Sequence, residues 1–396
     1  MPSKPTVAFL TLGLAAAIVA CSNLGNTTGV NVGPNFPSKT LYASNSNQNA
    51  ISIYSNGKTG GGPAYEIGGS NTTLNGPQYI AFDRHDNLWV TNYNPSTNKA
   101  SLVEFEALAT GNVLPLTSNT LTGRPRGIAF TPKSTASPGV VEDKPTPSPT
   151  PIPNIMAIAA NMPTETYPNR ILLFLPGSTT PYQSIGGPKP MLKLPGGVAI
   201  DPSGYIYVTN IQGALVEQFA IPSPTPTKKP TPTPSPSPTP TTTPSTSPSP
   251  TPTPSPTPTP INISPRFTLG PANEIITPVG IGLDQSGNIY IADQGQPKAA
   301  CSSTSAPAIL VFPPYSVKHG YTKPIRKIQG CNTKLKAPTD VKVDPTGLIY
   351  VADTTSSGAG IIYIFAAGSG GPGHHNVAPS NNYSSPGAVT GLGIVP

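Results

Sequence analysis

The sequence predicts an all-β fold, a six-bladed β-propeller closed between its own N- and C-terminal strands, with two disordered Pro-rich loop insertions. Three observations carry that expectation. An apolar run, a polar turn and a second apolar run are written as IAFDRHDNLWVTN from Ile80, VAIDPSGYIYVTN from Val198, IGLDQSGNIYIAD from Ile281 and VKVDPTGLIYVAD from Val341. Each pair is followed by a third run closing on an aromatic residue and a weaker fourth run that often ends in glycine. The repeating unit is therefore four short strands, which is the unit of a radially repeated propeller blade. The third observation is the count. First strands and second strands each number six, yet the chain begins with the second strand LYAS at 41–44 and stops after a first strand at 388–394. The two incomplete ends complete one another.

The elements follow in chain order. Lys4 precedes VAFLTLGLAAAIVAC, an apolar stretch of signal-peptide length that is too short to be read as a spanning helix. Its end, Ile18-Val19-Ala20-Cys21, resembles the lipobox of bacterial lipoproteins, which implies cleavage before Cys21 and a lipid on that cysteine. Acyl chains supply membrane affinity at about 0.8 kcal/mol per buried methylene. The expected organisation is a signal peptide at 1–20, a polar tether at 21–40 and the propeller at 41–396.

Blades are anchored by P-x-G-like starts at Pro77, Pro125, Pro195, Pro278, Pro338 and Pro386, with spacings of 48, 70, 83, 60 and 48 residues. The shortest spacings match a blade of roughly 40–50 residues, and the longer ones contain insertions. Runs such as YIYV are apolar on both faces, as expected of a sheet covered on both sides. Third strands close on Tyr54, Phe105, Phe174, Phe219, Phe312 and Phe365. The D-P-S-G and D-P-T-G links suit tight hairpins: the Asp carboxylate caps the turn, Pro presets φ and Gly takes the left-handed position, with Asp86 standing in where Gly is missing. The Pro/Ser/Thr tracts at about 132–153 and 222–260 cannot build a core and prefer a solvated, extended conformation. Both leave from the same face of the disc as the tether. The opposite face, carrying the loops between second and third strands and between blades, is the outward face.

Over about residues 41 to 396, apart from the insertions, the units resemble NHL repeats and the related six-bladed propellers of the gluconolactonase and regucalcin type. In the lactonases this resemblance implies a divalent metal near the channel mouth, held by acidic and Asn ligands, some at the residue before Gly in P-x-G. Here that residue is Gln78, Arg126, Gly196, Val279, Thr339 and Gly387, and none is acidic or Asn. Hard cations need several oxygen ligands, so neither metal nor cofactor is expected, and catalytic residues are not identified. His85, His319 and the pair His374-His375 lack ligand-spaced partners and read as solvated loop residues.

Cys301 and Cys331 fall in loops of the outward face and are the even pair expected of one disulfide in an exported protein. Second strands end in Asn45, Asn92, Asn161, Asn210, Asp293 and Asp353, read either as caps of their own loops or as a polar ring around the channel mouth. The net charge of +7 is concentrated between Lys318 and Lys342, where seven basic residues face Asp340 alone. Lys334 and Lys336 lie there in an outward-face loop, and Arg126 is expected near the channel mouth. A patch of this kind attracts an anionic partner; a nucleic-acid-binding surface spread over the protein is not expected. The sequence thus reads as a monomeric, envelope-anchored module that binds a protein or an anionic envelope polymer, with Gln78, Arg126, the Asx ring, Lys334 and Lys336 as candidate contacts. The alternative is a metal-dependent hydrolase, lactonase or lyase of the six-bladed type.

Overall fold

Six separate four-stranded antiparallel sheets are laid down in chain order, each with its first strand innermost, and one of them is shared between the chain ends. The computed structural model describes residues 40–55, 60–133, 154–223, 259–314, 323–355, 357–371 and 375–395. The expected signal peptide, Cys21, the tether up to residue 39, the bodies of both proline-rich insertions, His319 and His374 lie outside the described residues. Blade one contains Leu41–Asn45, Ala50–Tyr54 and Tyr65–Gly68, with Val389–Ile394 as its inner strand. The inner strands of blades two to six are Pro77–Phe82, Arg124–Phe130, Pro195–Ile200, Pro278–Leu283 and Pro338–Val343.

The closing strand corrects the sequence register in one place. Val389 pairs with Asn45 and Leu392 with Ala43, just as Pro77 pairs with Asn92 and Ile80 with Val90 in blade two. The residue equivalent to Gln78 and Arg126 in blade one is therefore Thr390, and Gly387 lies ahead of the strand. Pro386 misled because the pairing follows the apolar residues Val389 and Leu392, and no Pro is needed where the chain enters from a loop.

The hairpins are built as their residues require. In four blades the Asp after the inner strand accepts two backbone N–H groups on one oxygen: Asp83 from His85 and Asn87, Asp201 from Ser203 and Tyr205, Asp284 from Ser286 and Asn288, and Asp344 from Thr346 and Leu348. The other oxygen accepts from the aromatic side chain six residues on, Trp89, Tyr207, Tyr290 or Tyr350. The left-handed turn position is taken by Gly204, Gly287 and Gly347, and by Asp86 in blade two at φ 64°. In blade three, where an insertion replaces the hairpin, the Thr131 hydroxyl accepts from the Ile155 N–H.

Six apolar clusters occupy the six interfaces between blades, which is why the inner runs are apolar on both faces. The cluster joining blades three and four, for example, sets Ile171 and Leu173 against Val198 and Val208. The aromatic residues that close the third strands are all buried in this way. At one level near the axis the inner strands approach so closely that Gly127, Gly197, Gly280 and Gly391 leave no room for a side chain: a Cβ on Gly391 would fall 2.7 Å from the Tyr79 Cα. Second-strand hydroxyls then bolt neighbouring inner strands together. Thr91 and Thr209 donate to carbonyls of the next blade at Arg126 (3.1 Å) and Val279 (2.7 Å), and Ser44 donates to Gln78 in the same manner.

A further fastening runs round the rim. Loops of the even-numbered blades lie along the outer strands of the odd-numbered ones through isolated bridges at Ile67 with Gly111, Ile185 with Ile261 and Ile328 with His375. In each, the next residue is an Asn whose oxygen accepts a backbone N–H from the following turn: Asn112 from Asn71, Asn262 from Lys189 and Asn376 from Asn332. Exposed strand edges are thereby covered on alternate blades.

Two stability effects follow. Asp201→Ala removes three hydrogen-bond acceptances, two of them to backbone N–H groups, and is expected to destabilise the chain by about 2–3 kcal/mol in denaturant unfolding, given the usual worth of bonds to charged groups. Glu217, in the third strand of blade four, is buried, with one oxygen accepting from Asn210 and the other unpartnered among the described residues. Burial pushes its carboxyl up to about 8, opposed by the Asn210 hydrogen bond. The folded state then holds a proton that the unfolded chain releases, so stability is greatest below pH 4.5, falls as pH rises and levels off above about 8. Glu217→Gln is expected to flatten that decline, measured as Tm against pH.

Candidate ligand-binding face

The outward face is assembled from the loops between second and third strands and from the connections between blades. The second-strand Asn and Asp residues sit here, and most of them are bonded to the segment that leads into the inner strand of their own blade. Asp293 accepts from the N–H groups of Ile276, Thr277 and Gly295, and Asp353 from those of Lys336 and Ala337. Asn210 accepts from the Lys193 N–H and donates to the Met191 carbonyl, while Asn92 accepts from Asn75 and donates to Ser101. Asn45 donates to Ser52 and accepts from Ser385. Asn161 is half-buried and donates to Asn169, which itself accepts from the Leu194 N–H. Five of the six thus tie the chain that enters an inner strand to the strand beside it, while Asn161, among the described residues, reaches only Asn169 of the third strand. Burial raises the carboxyls of Asp293 and Asp353, and the converging N–H groups oppose that shift.

Side chains of several blades pack across the axis. Tyr79, from blade two, reaches across to donate to the Thr339 carbonyl of blade six at 3.4 Å. Burial raises its hydroxyl far above the usual tyrosine range, with a further push from the Asp340 charge. Asp340 is the acid nearest the channel, but one oxygen meets Lys342 Nζ at 3.0 Å and the other accepts from the Leu392 N–H at 2.9 Å. Beyond Tyr79, toward the hairpin face, lies a cavity of about 250 Å³ walled by inner-strand residues such as Ile80, Phe130, Ile200 and Leu283, with Lys342 as its charged member. Among the described residues, no three His, Cys, Asp or Glu side chains come together in a group that could hold a metal ion. The residues present do not fit a lactonase metal site.

Cys301 and Cys331 are joined in a disulfide, with Cα atoms 4.8 Å apart and a separation of 30 residues. It ties the second loop of blade five to the connection that carries Lys334 and Lys336, both exposed. On the chain-entropy account a loop of this length is worth about 3–4 kcal/mol.

The structure redistributes the basic character that the sequence concentrates between Lys318 and Lys342. Lys327 pairs with Glu274 and Lys342 with Asp340, both at 3.0 Å, while Arg326 donates to the Tyr290 hydroxyl and lies over its ring. Lys318 lies outside the described residues, and Lys323 belongs to the opposite face. In their place, other blades bring exposed Lys99, Lys189, Lys193 and Lys298 to the outward face beside Lys334 and Lys336. Arg124 and Arg126 join them at the channel mouth. Among the described residues none of these eight makes an ion pair, since the four pairs present involve Lys133, Arg170, Lys327 and Lys342. Among the described residues the acids of this face's loops are engaged, Glu165 with Arg170, Glu274 with Lys327, and Asp293 and Asp353 with backbone N–H groups, while Glu66 in the outer strand of blade one is exposed and makes no ion pair. The opposite face carries Asp83, Asp86, Asp201, Asp284 and Asp344 at its turns, four of them accepting backbone N–H groups, together with the cations Arg84, Lys133, Arg266 and Lys323. The disc is electrically two-sided, and sequence reading missed this because the cations are scattered over blades two to five. Its topological signal was present, however, since each of them lies just before or after a strand end on one side.

No family model matches the chain, and no curated protein matches it. Solved structures do. A protein of unknown function from Bacteroides caccae superposes with a TM-score of 0.50 at 9% identity, over 91% of this chain and 99% of the other. A periplasmic gluconolactonase from Pseudomonas aeruginosa gives 0.48 at 10% identity, over 91% and 99%, and a 6-phosphogluconolactonase-like protein from Bacteroides fragilis gives 0.45 at 9%, over 90% and 97%. At such identities the likeness is one of fold, and the chain is a six-bladed β-propeller with gluconolactonase-like propellers among its structural neighbours.

Proposed function

We propose that this chain is an exported, lipid-anchored β-propeller that acts as a non-enzymatic binding module, holding an anionic envelope polymer or an acidic protein surface against its outward face. The single observation that supports this most is the distribution of charge: among the described residues, eight cations without ion pairs on one face, with the acids of its loops engaged. Such a surface raises the local concentration of a polyanion and steers it to one side of the disc. The anchor part of the reading rests on the apolar N-terminal run and Cys21. Thr40, the first described residue, stands at the head of a second strand, on the face opposite the cations. An anchor attached there leaves the cationic face free to meet a partner.

The experiment is direct binding of the mature chain, carrying Cys21→Ser, to immobilised polygalacturonate, with neutral dextran as control. Binding to the polyanion alone is expected, weakening steeply as salt rises past about 0.1 M, where the screening length falls to about 10 Å. Lys334→Gln with Lys336→Gln should weaken it severalfold. Equal binding to dextran would overturn the anionic reading, and a stoichiometric divalent ion retained at the axis together with lactone hydrolysis would overturn it in favour of an enzyme. Metabolic labelling with palmitate tests the anchor separately: label is expected on the wild-type chain and lost in Cys21→Ser, and label that survives the substitution contradicts it.

A further inference from the structure

Blades one to three meet at the outward channel mouth, and Thr390, Gln78 and Arg126 take equivalent inner-strand positions there. Arg124 and Arg126 flank Pro125. The Arg124 guanidinium lies over the Tyr93 ring, 4.9 Å from its centroid. The Nε of each arginine is buried and has no hydrogen-bond partner, and among the described residues neither side chain meets an acid. Arg84, on the opposite face, also has a buried Nε without a partner; what distinguishes Arg124 and Arg126 is that two such guanidiniums are neighbours, each within reach of the other's charge. The deeply buried cations Arg170 and Lys327 each have a carboxylate within 3.1 Å. At Arg126, burial and then the Arg124 charge both disfavour the cation. Beside Arg124 opens a cavity of about 380 Å³, lined among others by Ser46, Asn47, Gln78, Tyr93, Arg124 and Thr390, while Arg126 stands behind Arg124 and does not line it. Serine hydroxyls and the side-chain amides of Asn and Gln supply neutral hydrogen-bond donors, and no carboxylate lines this cavity.

We propose that Arg124, Arg126 and this cavity form a discrete oxyanion site, which takes a single carboxylate or phosphate group of an anionic glycan. This rests on the reading of the outward face as the binding face, but asks more of it: one fixed site within a diffuse field. Two repelling, partly desolvated guanidiniums are the arrangement an oxyanion stabilises, because it screens their repulsion and satisfies N–H groups that the protein leaves unpaired. Planar guanidinium also gives the site a geometric requirement that lysine cannot meet. The Lys residues farther out supply attraction without register.

The test is calorimetric titration of the mature chain, carrying Cys21→Ser, with glucuronate and with inorganic phosphate, using glucose as the neutral control. Saturable binding of one anion per chain is expected for at least one of the two, and the arm that binds identifies the group as carboxylate or phosphate. Arg124→Gln and Arg124→Lys should each weaken it at least tenfold, while Lys323→Gln on the opposite face should change it less than twofold. Unfolding curves of the same variants show whether they remain folded, and the charge-retaining Arg124→Lys separates loss of the fork from loss of charge. Absence of saturation with both anions, or equal weakening by the Arg124 and Lys323 variants, overturns the site. If that happens while polygalacturonate is still bound, the discrete site fails and the diffuse cationic face stands. If the small anion is bound and the polymer is not, the site stands and the polymer reading fails.

Discussion

Everything in this structure depends on one strand pairing, that of Val389–Ile394 with Leu41–Asn45. Without it blade one has no inner strand, blades six and two have no neighbour at the axis, and two of the six apolar interfaces lose a wall. The pairing is not local: its partners are separated by nearly the whole chain, so the cost of closing so long a loop must be met by many contacts formed together. The structure supplies them in layers. Apolar clusters fill the interfaces, hydroxyls of Ser44, Thr91 and Thr209 join adjacent inner strands, and Asn residues on the rim hold alternate blades from outside. Ser385 and Asn45 extend the closure by joining the last outer strand to the first second strand.

Much of this was legible in the sequence, for reasons that differ from element to element. The Asp hairpins were readable because their residues act locally: a carboxylate, two nearby N–H groups and a glycine at positive φ all lie within five residues. The aromatic six positions on is part of the same device, but its bond to the second carboxylate oxygen becomes clear only when the strands pair. The disulfide was readable from the count of cysteines and the register. The sixth anchor was not, because Pro386-Gly387 imitates the local motif while the real register is set by which residues face Asn45 and Ala43 across the sheet. The rim fastening by Asn112, Asn262 and Asn376 was equally hidden. A single Asn before Val or Ile is too common to stand out, and its partners lie on a different blade.

The candidate site shows the same division. Of the residues with a conspicuous repeat, Asn92, Asn210, Asp293 and Asp353 accept from backbone N–H groups, and Asn45 and Asn161 bond to side chains of their own blade, since what repeats in every blade serves what every blade needs. What differs between blades is where binding chemistry is free to develop. Gln78, Arg126 and Thr390 occupy one structural position with three different side chains, and the surrounding lysines come from loops with no sequence relation. A linear tally of charge saw only the segment around blade five, where several cations turn out to be paired internally. The three-dimensional arrangement moves the charge to a face.

That two-sided charge is the central claim, and lysine accessibility mapped by acetylation with and without bound polyanion tests it most directly. The account predicts protection of Lys99, Lys189, Lys193, Lys298, Lys334 and Lys336, with Lys133 and Lys323 on the other face modified at unchanged rates. Protection of Lys133 and Lys323 to the same degree, or protection confined to neither face, would contradict it.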